Sequence, residues 1–521
     1  MRRPHVNAPR AALALGCAAL LAAPAWAAPS QEELLDMLNQ LNHRLERLEQ
    51  RNRELEQQLH TQPTPPSPPS QAPQAGARAP LEQRVRKLEE AQSRVEQGLE
   101  SENISENEPE LTSRLKAVEY QSLNTLKAAR VIESLDGVTA GVSFTTVAQS
   151  PHGVAANAPA GTENAQLNYR ADAFVTLPLP TVGDTESRIF AHFRMGQGSG
   201  LNALSSYSKP NASAFRVLSA QPDDAVAVLG QAWYQATIPL PFGGFKPHSR
   251  EQLEVNFGKM DPFVFFDQNA AANDETRQFL NTAFVHNPLL DAGGDIGVDA
   301  NGFSPGFRLS YLNHRTKSEP WRLSLGIFGA GRGANYEQFF TSPLILAQAE
   351  TQWRWDGNPG NYRLYYWQNG QAPGYDGVVR TRSGWGLSAD QRVGDATTLF
   401  GRWGQHIVGG GARFDRALTL GAEVAGFDWD RGGDAIGLAL GWLASSDSFV
   451  RDSATVDANG DGIPDYGYTA SSGEQVLELY YRYRINKQFE LSPNVQHIRQ
   501  PGAAPDTTPI SIIGLRAQLT F

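Results

Sequence analysis

Charged side chains recur at every second position in several otherwise apolar segments of the chain. Arg170 and Asp172 alternate with apolar residues in one segment, and His192 and Arg194 do so in the next. Side chains at alternate positions of a strand lie on one face of a sheet. Guanidinium groups hold hydroxyl pairs or carboxylates in a fixed geometry, so a surface of this kind suits sugars or organic anions. The same alternation adds five charged residues to these candidates: Arg322, Glu478, Arg482, Arg484 and Arg516.

Two interpretations of these arginines stay open. They line a selective constriction in a passage, or they only pair with neighbouring carboxylates and keep a polar wall rigid. Beyond residue 130 the cations are mostly arginine, and the lysines are Lys209, Lys246, Lys259, Lys317 and Lys487.

Patterns typical of catalysis are absent from the sequence. It contains no His-Glu-x-x-His, Cys-x-x-Cys or Gly-x-Ser-x-Gly segment, and its 10 histidines are scattered. The acidic pairs Asp223-Asp224 and Asp428/Asp430 have no feature that would place them across a sugar for hydrolysis. We therefore predict that the protein is not an enzyme.

One acidic segment has the spacing of a calcium loop. Oxygen ligands at alternate positions would come from Asp457, Asn459, Asp461, Ile463 and Asp465, with a glycine at the sixth place. Tyr468 stands where an EF-hand has its bidentate glutamate. A structural calcium ion in an external loop and a plain Asp/Gly turn both fit this segment, and no other cofactor is expected.

Strands must position these residues, because the apolar period changes to two after Arg130. Apolar and polar residues alternate over 167–177, 189–195, 321–327 and 477–485. The chain ends in the same way, with Arg516 and Gln518 on one side of a strand that finishes on Phe521. Outer-membrane barrels end on such an aromatic residue, which the barrel-assembly machinery recognises.

A transmembrane β-barrel fits this region better than a secreted β-sandwich, the alternative that alternation alone leaves open. Residues 131–521 make about 16 antiparallel strands at about 24 residues for each strand with its connection, and a barrel of that size holds water. We expect six aromatic residues near strand ends to form membrane girdles: Trp353, Trp355, Tyr362, Tyr365, Tyr366 and Trp367.

Composition excludes two other classes. The 521 residues carry a net charge of −10, which argues against a nucleic-acid binder. Helical membrane proteins are the second class, because past the amino terminus no apolar run is long enough for a transmembrane helix.

The amino-terminal segment 1–27 has the features of a secretory signal peptide. Arginines precede an apolar run over 11–23, and Ala25-Trp26-Ala27 matches the pattern that signal peptidase cleaves. The only cysteine, Cys17, lies in this segment, so the mature chain would have no disulfide.

Segment 28–60 is typical of a coiled coil. Residues four and three apart form one seam: Leu34, Leu38, Leu41, Leu45, Leu48, Asn52, Leu55 and Leu59. Segment 61–80 is a proline-rich linker, and 81–130 is a second helical segment with weaker heptads that Pro109 interrupts. These segments predict a periplasmic stalk that makes the protein a homo-oligomer and reaches peptidoglycan or another periplasmic partner.

Two blocks of the strand region resemble the carbohydrate-selective outer-membrane porins of the OprB type. The first is 255–279, followed by Leu280-Asn281 and Asn287-Pro288, and the second runs from Tyr481-Arg482-Tyr483-Arg484 to Phe521. The resemblance implies a barrel of about sixteen strands in the outer membrane, which admits sugars through a lumen lined by charged and aromatic side chains.

The first block also supplies candidates for an inward-folded loop that constricts the pore, namely Asp261, Asp267, Asn269, Asn273 and Asp274. The alternative is that the block caps a strand and fastens a loop to the wall.

The sequence therefore predicts an outer-membrane porin for passive diffusion of carbohydrates or similar small polar solutes. Two alternatives remain: a porin for organic anions or without selectivity, and an envelope tether in which the barrel anchors the stalk.

Overall fold

A computed structural model gives the architecture of the carboxy-terminal part of the chain. It describes residues 137–154, 163–216, 226–243, 249–290, 302–316, 319–331 and 339–521. The signal peptide (1–27), the coiled coil (28–60), the linker (61–80) and the second helical segment (81–130) lie outside the described residues, and they stay predictions.

Sixteen antiparallel strands form one closed barrel in which each strand pairs with its neighbours in sequence, and β1 pairs with β16. The strands are β1 Thr139–His152, β2 Gln166–Val182, β3 Thr185–Gln197, β4 Val228–Pro239, β5 Glu251–Met260, β6 Ser304–Asn313, β7 Trp321–Phe328, β8 Leu344–Trp355, β9 Asn358–Pro373, β10 Val379–Val393, β11 Thr397–Val408, β12 Phe414–Gly426, β13 Arg431–Ser445, β14 Gly473–Arg484, β15 Phe489–Arg499 and β16 Ile510–Thr520. The described residues also contain two short α-helices, α1 Thr282–Val285 and α2 Asp447–Asp452, and 3-10 turns at Pro241–Gly243, Pro262–Val264, Phe427–Trp429 and Pro501–Ala503.

The last residue helps to close the barrel. The Val142 amide donates to the Phe521 carbonyl at 3.0 Å, and the Phe521 amide donates to the Val142 carbonyl at 2.8 Å. Closure satisfies the backbone groups that an edge strand would leave open. The expected count of about 16 strands is confirmed.

The outer wall is apolar and the inner wall is polar, as alternation requires. Leu323, Leu440 and Ile513 are about half exposed on the outside, whereas Arg308 and Arg516 are buried inside. An exposed apolar band around a closed barrel is typical of a barrel surrounded by lipid. A β-sandwich instead buries its apolar faces between its two sheets. Among the described residues, no helix is long and apolar enough to cross a bilayer.

The two ends of the barrel differ in the length of their connections. One end has tight turns, such as those after β2, β8 and β10, and the chain finishes there. The other end has long connections, of which three matter below: L2 (198–227), L3 (261–303) and L7 (446–472). We call these the short-turn end and the long-loop end, and the long-loop end faces outward in outer-membrane barrels.

Candidate functional site

Loop L3 lies inside the barrel. Nearly every residue of 261–290 is buried, and its side chains meet inward-facing residues of strands all around the wall. The loop begins where the Asp261 carboxylate accepts a hydrogen bond from the Phe263 amide at 2.9 Å and starts a 3-10 turn. Since the loop occupies the lumen, its packing sets the space that remains for a solute.

One attachment of L3 is a buried ion pair between Asp267 and Arg402 of β11. Both side chains are 0% exposed, and Nε of Arg402 lies 3.1 Å from Oδ1 of Asp267. The other guanidinium nitrogens donate to the loop carbonyls of Asp267, Ala272 and Phe284.

The Asp267 carboxylate is saturated by three partners. Besides Arg402, the Tyr365 hydroxyl donates at 2.9 Å and the Asn287 amide at 2.5 Å. Asp267 has a φ of 51°, a left-handed conformation that aspartate tolerates better than most residues. The carboxylate thus joins two parts of L3 to β9 and β11.

Two wall residues hold the second half of L3 through its backbone. The Glu478 carboxylate accepts from the amides of Leu280 and Asn281, each at 2.8 Å. Arg516 donates to the carbonyls of residues 275, 277 and 278 at 2.6–3.0 Å. Both residues were candidates for lining the pore, and the structure places them as fasteners of the loop.

An apolar contact reinforces these polar ones. Phe279 lies 5.4 Å from Phe284, 5.5 Å from Phe400 and 5.0 Å from Tyr480 between ring centroids. All four rings are buried. L3 therefore packs on the wall like a small hydrophobic core.

Four sequence candidates on β2 and β3 come together in one ion cluster. Asp172 accepts from Arg170 at 2.8 Å, from Arg194 at 2.6 Å and from His192 at 2.7 Å. Arg170 also reaches Glu275 of L3 at 2.6 Å. Burial by itself raises the pKa of Glu275, and the charges of Arg170 and Arg194 outweigh it and lower that pKa.

A second network runs along the inner wall from β5 to β10. Successive N–O distances between 2.8 and 3.7 Å connect its alternating acids and bases. Its members are Arg308, Glu254, Arg322, Glu350, Arg363 and Asp390. Their side chains are 1–5% exposed. Because the ion pairs of this network link the strands from β5 to β10, the network stiffens the wall. Of its members, only Arg322 was a sequence candidate.

Two candidate arginines keep more exposed side chains. The Arg194 side chain, near the long-loop end of β3, is 17% exposed. The Arg484 side chain, at the short-turn end of β14, is 16% exposed. Arg482 lies 3.7 Å from Glu423 and is more deeply buried. Whether these three line the path of a solute stays a prediction.

The remaining L3 candidates are also held within the loop or against the wall. The Asn269 side chain donates to the Ala389 carbonyl at 3.0 Å, and the Asn273 amide donates to Gln278. Burial, together with the neighbouring Glu275, raises the pKa of Asp274. These contacts agree with the fastening alternative for this block, and a role of the loop as the constriction of the pore stays a prediction.

The girdle prediction is wrong for two aromatic residues. Trp353 and Trp355 are exposed on the outer wall, but Tyr365 and Trp367 are at most 2% exposed on the inner wall, and Tyr365 contacts Asp267 of L3. Strand parity could have shown this, because Leu364 and Tyr366, which alternate with them along β9, face outward. The sequence analysis did not identify Arg402 as a site residue, because the alternation along β11 gives no sign of its partner Asp267, which lies 135 residues away in the sequence.

The calcium-like segment lies in L7 at the long-loop end. The Asp457 carboxylate accepts from the amides of Gly460, Asp461 and Gly462, and Asp461 and Asn459 likewise accept backbone amides. Asp465 accepts from the Ala458 amide at 2.7 Å. No group of three His, Cys, Asp or Glu side chains suited to a metal occurs among the described residues. Calcium binding stays a prediction, which a calcium titration of thermal stability would test.

The comparison with protein families identifies the barrel. Residues 185–521 match the model of the carbohydrate-selective porin, OprB family. The chain belongs to the OprB family. Together with the closed barrel, this membership places the protein in the outer membrane and indicates a channel.

Relatives of this OprB-family chain are distant. It is 27% identical over 307 residues to Porin B of Pseudomonas aeruginosa, which is 52% of this chain and 65% of that relative, slightly less than two thirds of its length. The high-pH structure of Pseudomonas putida OprB is 17% identical and has a TM-score of 0.57, over 74% of this chain and 94% of that one. This second likeness supports the fold alone.

Proposed function

We propose that this protein is a porin for passive diffusion of carbohydrates or similar small polar solutes across the outer membrane. The observation that carries the proposal is L3, a loop fixed inside a sixteen-stranded barrel by buried charges on both sides of the lumen. A fixed loop gives the passage a defined diameter, and pore diameter together with the lining polar groups determines which solutes pass. Family membership supports carbohydrates as the solute class.

Weak binding suits this function. Aromatic faces cover the apolar C–H patches of a sugar, while arginines and carboxylates exchange hydrogen bonds with its hydroxyls. Because most luminal charges already have protein partners, a neutral solute competes for few of them and leaves quickly. Flux then follows the concentration gradient.

Liposome swelling with the mature chain tests this proposal. Neutral mono- and oligosaccharides should enter faster than dicarboxylates of similar size. Faster entry of dicarboxylates would favour the organic-anion alternative, and equal rates would favour a non-selective pore. An absence of swelling in liposomes that contain folded barrel would contradict the porin function.

The amino-terminal segments belong to the same proposal as a periplasmic stalk. The leucine seam of 28–60 favours a homo-oligomer, and Asn52 at an a position would fix its register. β1 begins at the short-turn end, which faces the periplasm in outer-membrane barrels, so a stalk ahead of it would extend there. Peptidoglycan or a periplasmic protein is its proposed partner, and the barrel-assembly machinery is the proposed partner of Phe521.

Deleting 28–130 while retaining the signal peptide separates the stalk from the pore. We expect a barrel that folds and still conducts but no longer forms the oligomer in cross-linking. Envelope defects with unchanged uptake would favour the tether alternative. Loss of uptake from folded barrels would instead assign the stalk a part in transport.

A further inference from the structure

A group of basic and aromatic side chains at the long-loop end takes no part in the contacts described so far. We call it the mouth cluster, and it consists of Tyr207, Lys209, Arg413, Tyr466 and Tyr468. Tyr207 and Lys209 come from L2, Arg413 directly precedes β12, and the other two come from L7. Three separate segments thus converge on one place.

Aromatic contacts fix the geometry of the mouth cluster. The guanidinium carbon of Arg413 lies 5.5 Å from the centroid of the Tyr207 ring. Tyr466 packs edge to face on Phe449 of α2 at 4.9 Å and lies 6.3 Å from Tyr468. Tyr466 and Tyr468 are only partly buried, so part of each ring stays open to solvent.

The two cations have no carboxylate partner within ion-pair distance in the described part of the chain. Lys209 donates to the Leu204 carbonyl at 3.2 Å, a neutral acceptor that uses one of its three protons. Other arginines at this end are paired: Arg380 with Asp376 at 2.5 Å, and Arg416 with Asp415 at 3.1 Å.

The carboxylate that acts on the cluster, that of Glu474, is already saturated. It accepts from the amides of Tyr207 at 2.7 Å, Ser208 at 3.0 Å and Gly502 at 2.8 Å, and from the Ser208 hydroxyl at 2.7 Å. Burial lowers the pKa of Lys209, and the charge of Arg413 lowers it further. A bound anion would reduce the repulsion between Lys209 and Arg413, because its negative charge would lie in direct contact with both. The Glu474 carboxylate makes no such contact.

The tyrosines add hydroxyl and ring surfaces. Burial raises the pKa of Tyr468 to about 12 and also raises that of Tyr466, so both phenols stay neutral and can donate. The Tyr468 hydroxyl donates to the Gly502 carbonyl at 2.8 Å, whereas the Tyr466 hydroxyl has no partner among the residues that the structure describes. Ring faces of this kind cover the C–H patches of a polyhydroxylated chain or ring.

We propose that the mouth cluster is an external binding site for sugar acids, that is, polyhydroxy carboxylates of the aldonate or uronate class. Arg413 and Lys209 bind the carboxylate, the Tyr466 hydroxyl bonds to a sugar hydroxyl, and the open tyrosine rings cover the carbon skeleton. The inference rests on the proposed porin function and adds a site for one class of solute at the mouth of the pore. It places recognition at the long-loop mouth, outside the L3 constriction.

Titration calorimetry on the full mature chain in detergent tests the site with D-gluconate and D-glucose as probes. Gluconate should bind about tenfold more tightly than glucose, a difference of about 1.4 kcal/mol, because its carboxylate forms charge-assisted hydrogen bonds that a neutral hydroxyl cannot form. Arg413→Gln should weaken gluconate about tenfold and change glucose less than twofold. Tyr466→Leu should weaken both probes.

Arg416→Gln is the matched control, because that arginine lies three residues away and is paired with Asp415. It should leave gluconate affinity unchanged, and each variant must keep the heat-modifiable gel migration of a folded barrel. Equal affinity for the two probes, or an Arg413→Gln variant that binds gluconate as the natural chain does, would overturn the proposal. In either case liposomes that still swell with glucose would leave the porin function standing, and failure to swell would refute that function separately.

Discussion

Asp267→Asn should release L3 from the wall. The substitution keeps the shape of the side chain but removes the charge that Arg402 faces, and both residues are fully buried. Removing one partner of such a pair costs about 3–5 kcal/mol, because the remaining charge is left uncompensated. This lowers the ratio of fastened to released loop by roughly two to three and a half orders of magnitude.

Single-channel recording in planar bilayers measures the consequence. The natural chain should give one steady conductance level, whereas Asp267→Asn should give frequent steps to a larger level as the loop leaves the lumen. The strands do not depend on Asp267, so heat-modifiable migration should persist. Asp376→Asn is the control, because it breaks an exposed pair with Arg380 that is worth at most about 1 kcal/mol.

A double variant tests the cause. Combining Asp267→Asn with Arg402→Met removes both charges, so it should restore part of the steady conductance that the single change loses. Steady conductance in Asp267→Asn would refute the view that this ion pair holds the loop. Unsteady conductance in the control as well would show that the steps do not report on L3.

Three other changes test different parts of the structure. Phe279→Ala should cost the loop core about 3–5 kcal/mol and expose Arg277 to trypsin, whereas Phe257→Ala on the lipid face should leave cleavage unchanged; equal cleavage would contradict the packing. Burial raises the pKa of Asp261 from its ordinary 3.8 to about 6, so the folded chain binds more protons in that window, and the unfolding midpoint should fall as pH rises through it. Asp261→Asn should flatten this dependence, and an unchanged slope would exclude Asp261 as its source. Deleting Phe521 removes two hydrogen bonds to β1 and should reduce the heat-modifiable fraction after refolding, while a normal yield would show that these bonds are dispensable.

Alternation in the sequence was sufficient to predict the wall of this barrel. Arg482 and Arg516 face inward and Ile513 faces outward as expected, because a strand with one lipid face fixes its own parity. The interior could not be predicted in the same way. Arg402 and Asp267 meet only because L3 folds across the lumen, and no local pattern records that path.

The same reason explains the misplaced aromatics. A girdle at the membrane surface and a ring that packs on an inward loop both place aromatic residues near strand ends. Tyr365 belongs to the second kind, because its ring is buried inside the barrel and its hydroxyl donates to Asp267 of L3. Trp367 is buried beside it on the same inner face. The arginine candidates divide similarly: alternation predicts which face they occupy, and the pairing of Arg170 or Arg322 depends on strands and loops elsewhere in the chain.

The pairing of β1 with β16 also determines the order in which the molecule can be built. These strands come from opposite ends of the described chain, so their contact closes the longest loop in the fold and has the largest entropic cost of all neighbouring pairs. Hairpins such as β8–β9, joined by two residues, can form early, whereas the β1–β16 pairing must wait until β16 has been synthesised. Until then β1 presents an open edge that can pair with another chain. A cell that makes this protein therefore has to keep β1 from pairing with other chains until β16 has been made, and a chain that lacks β16 is a candidate for aggregation.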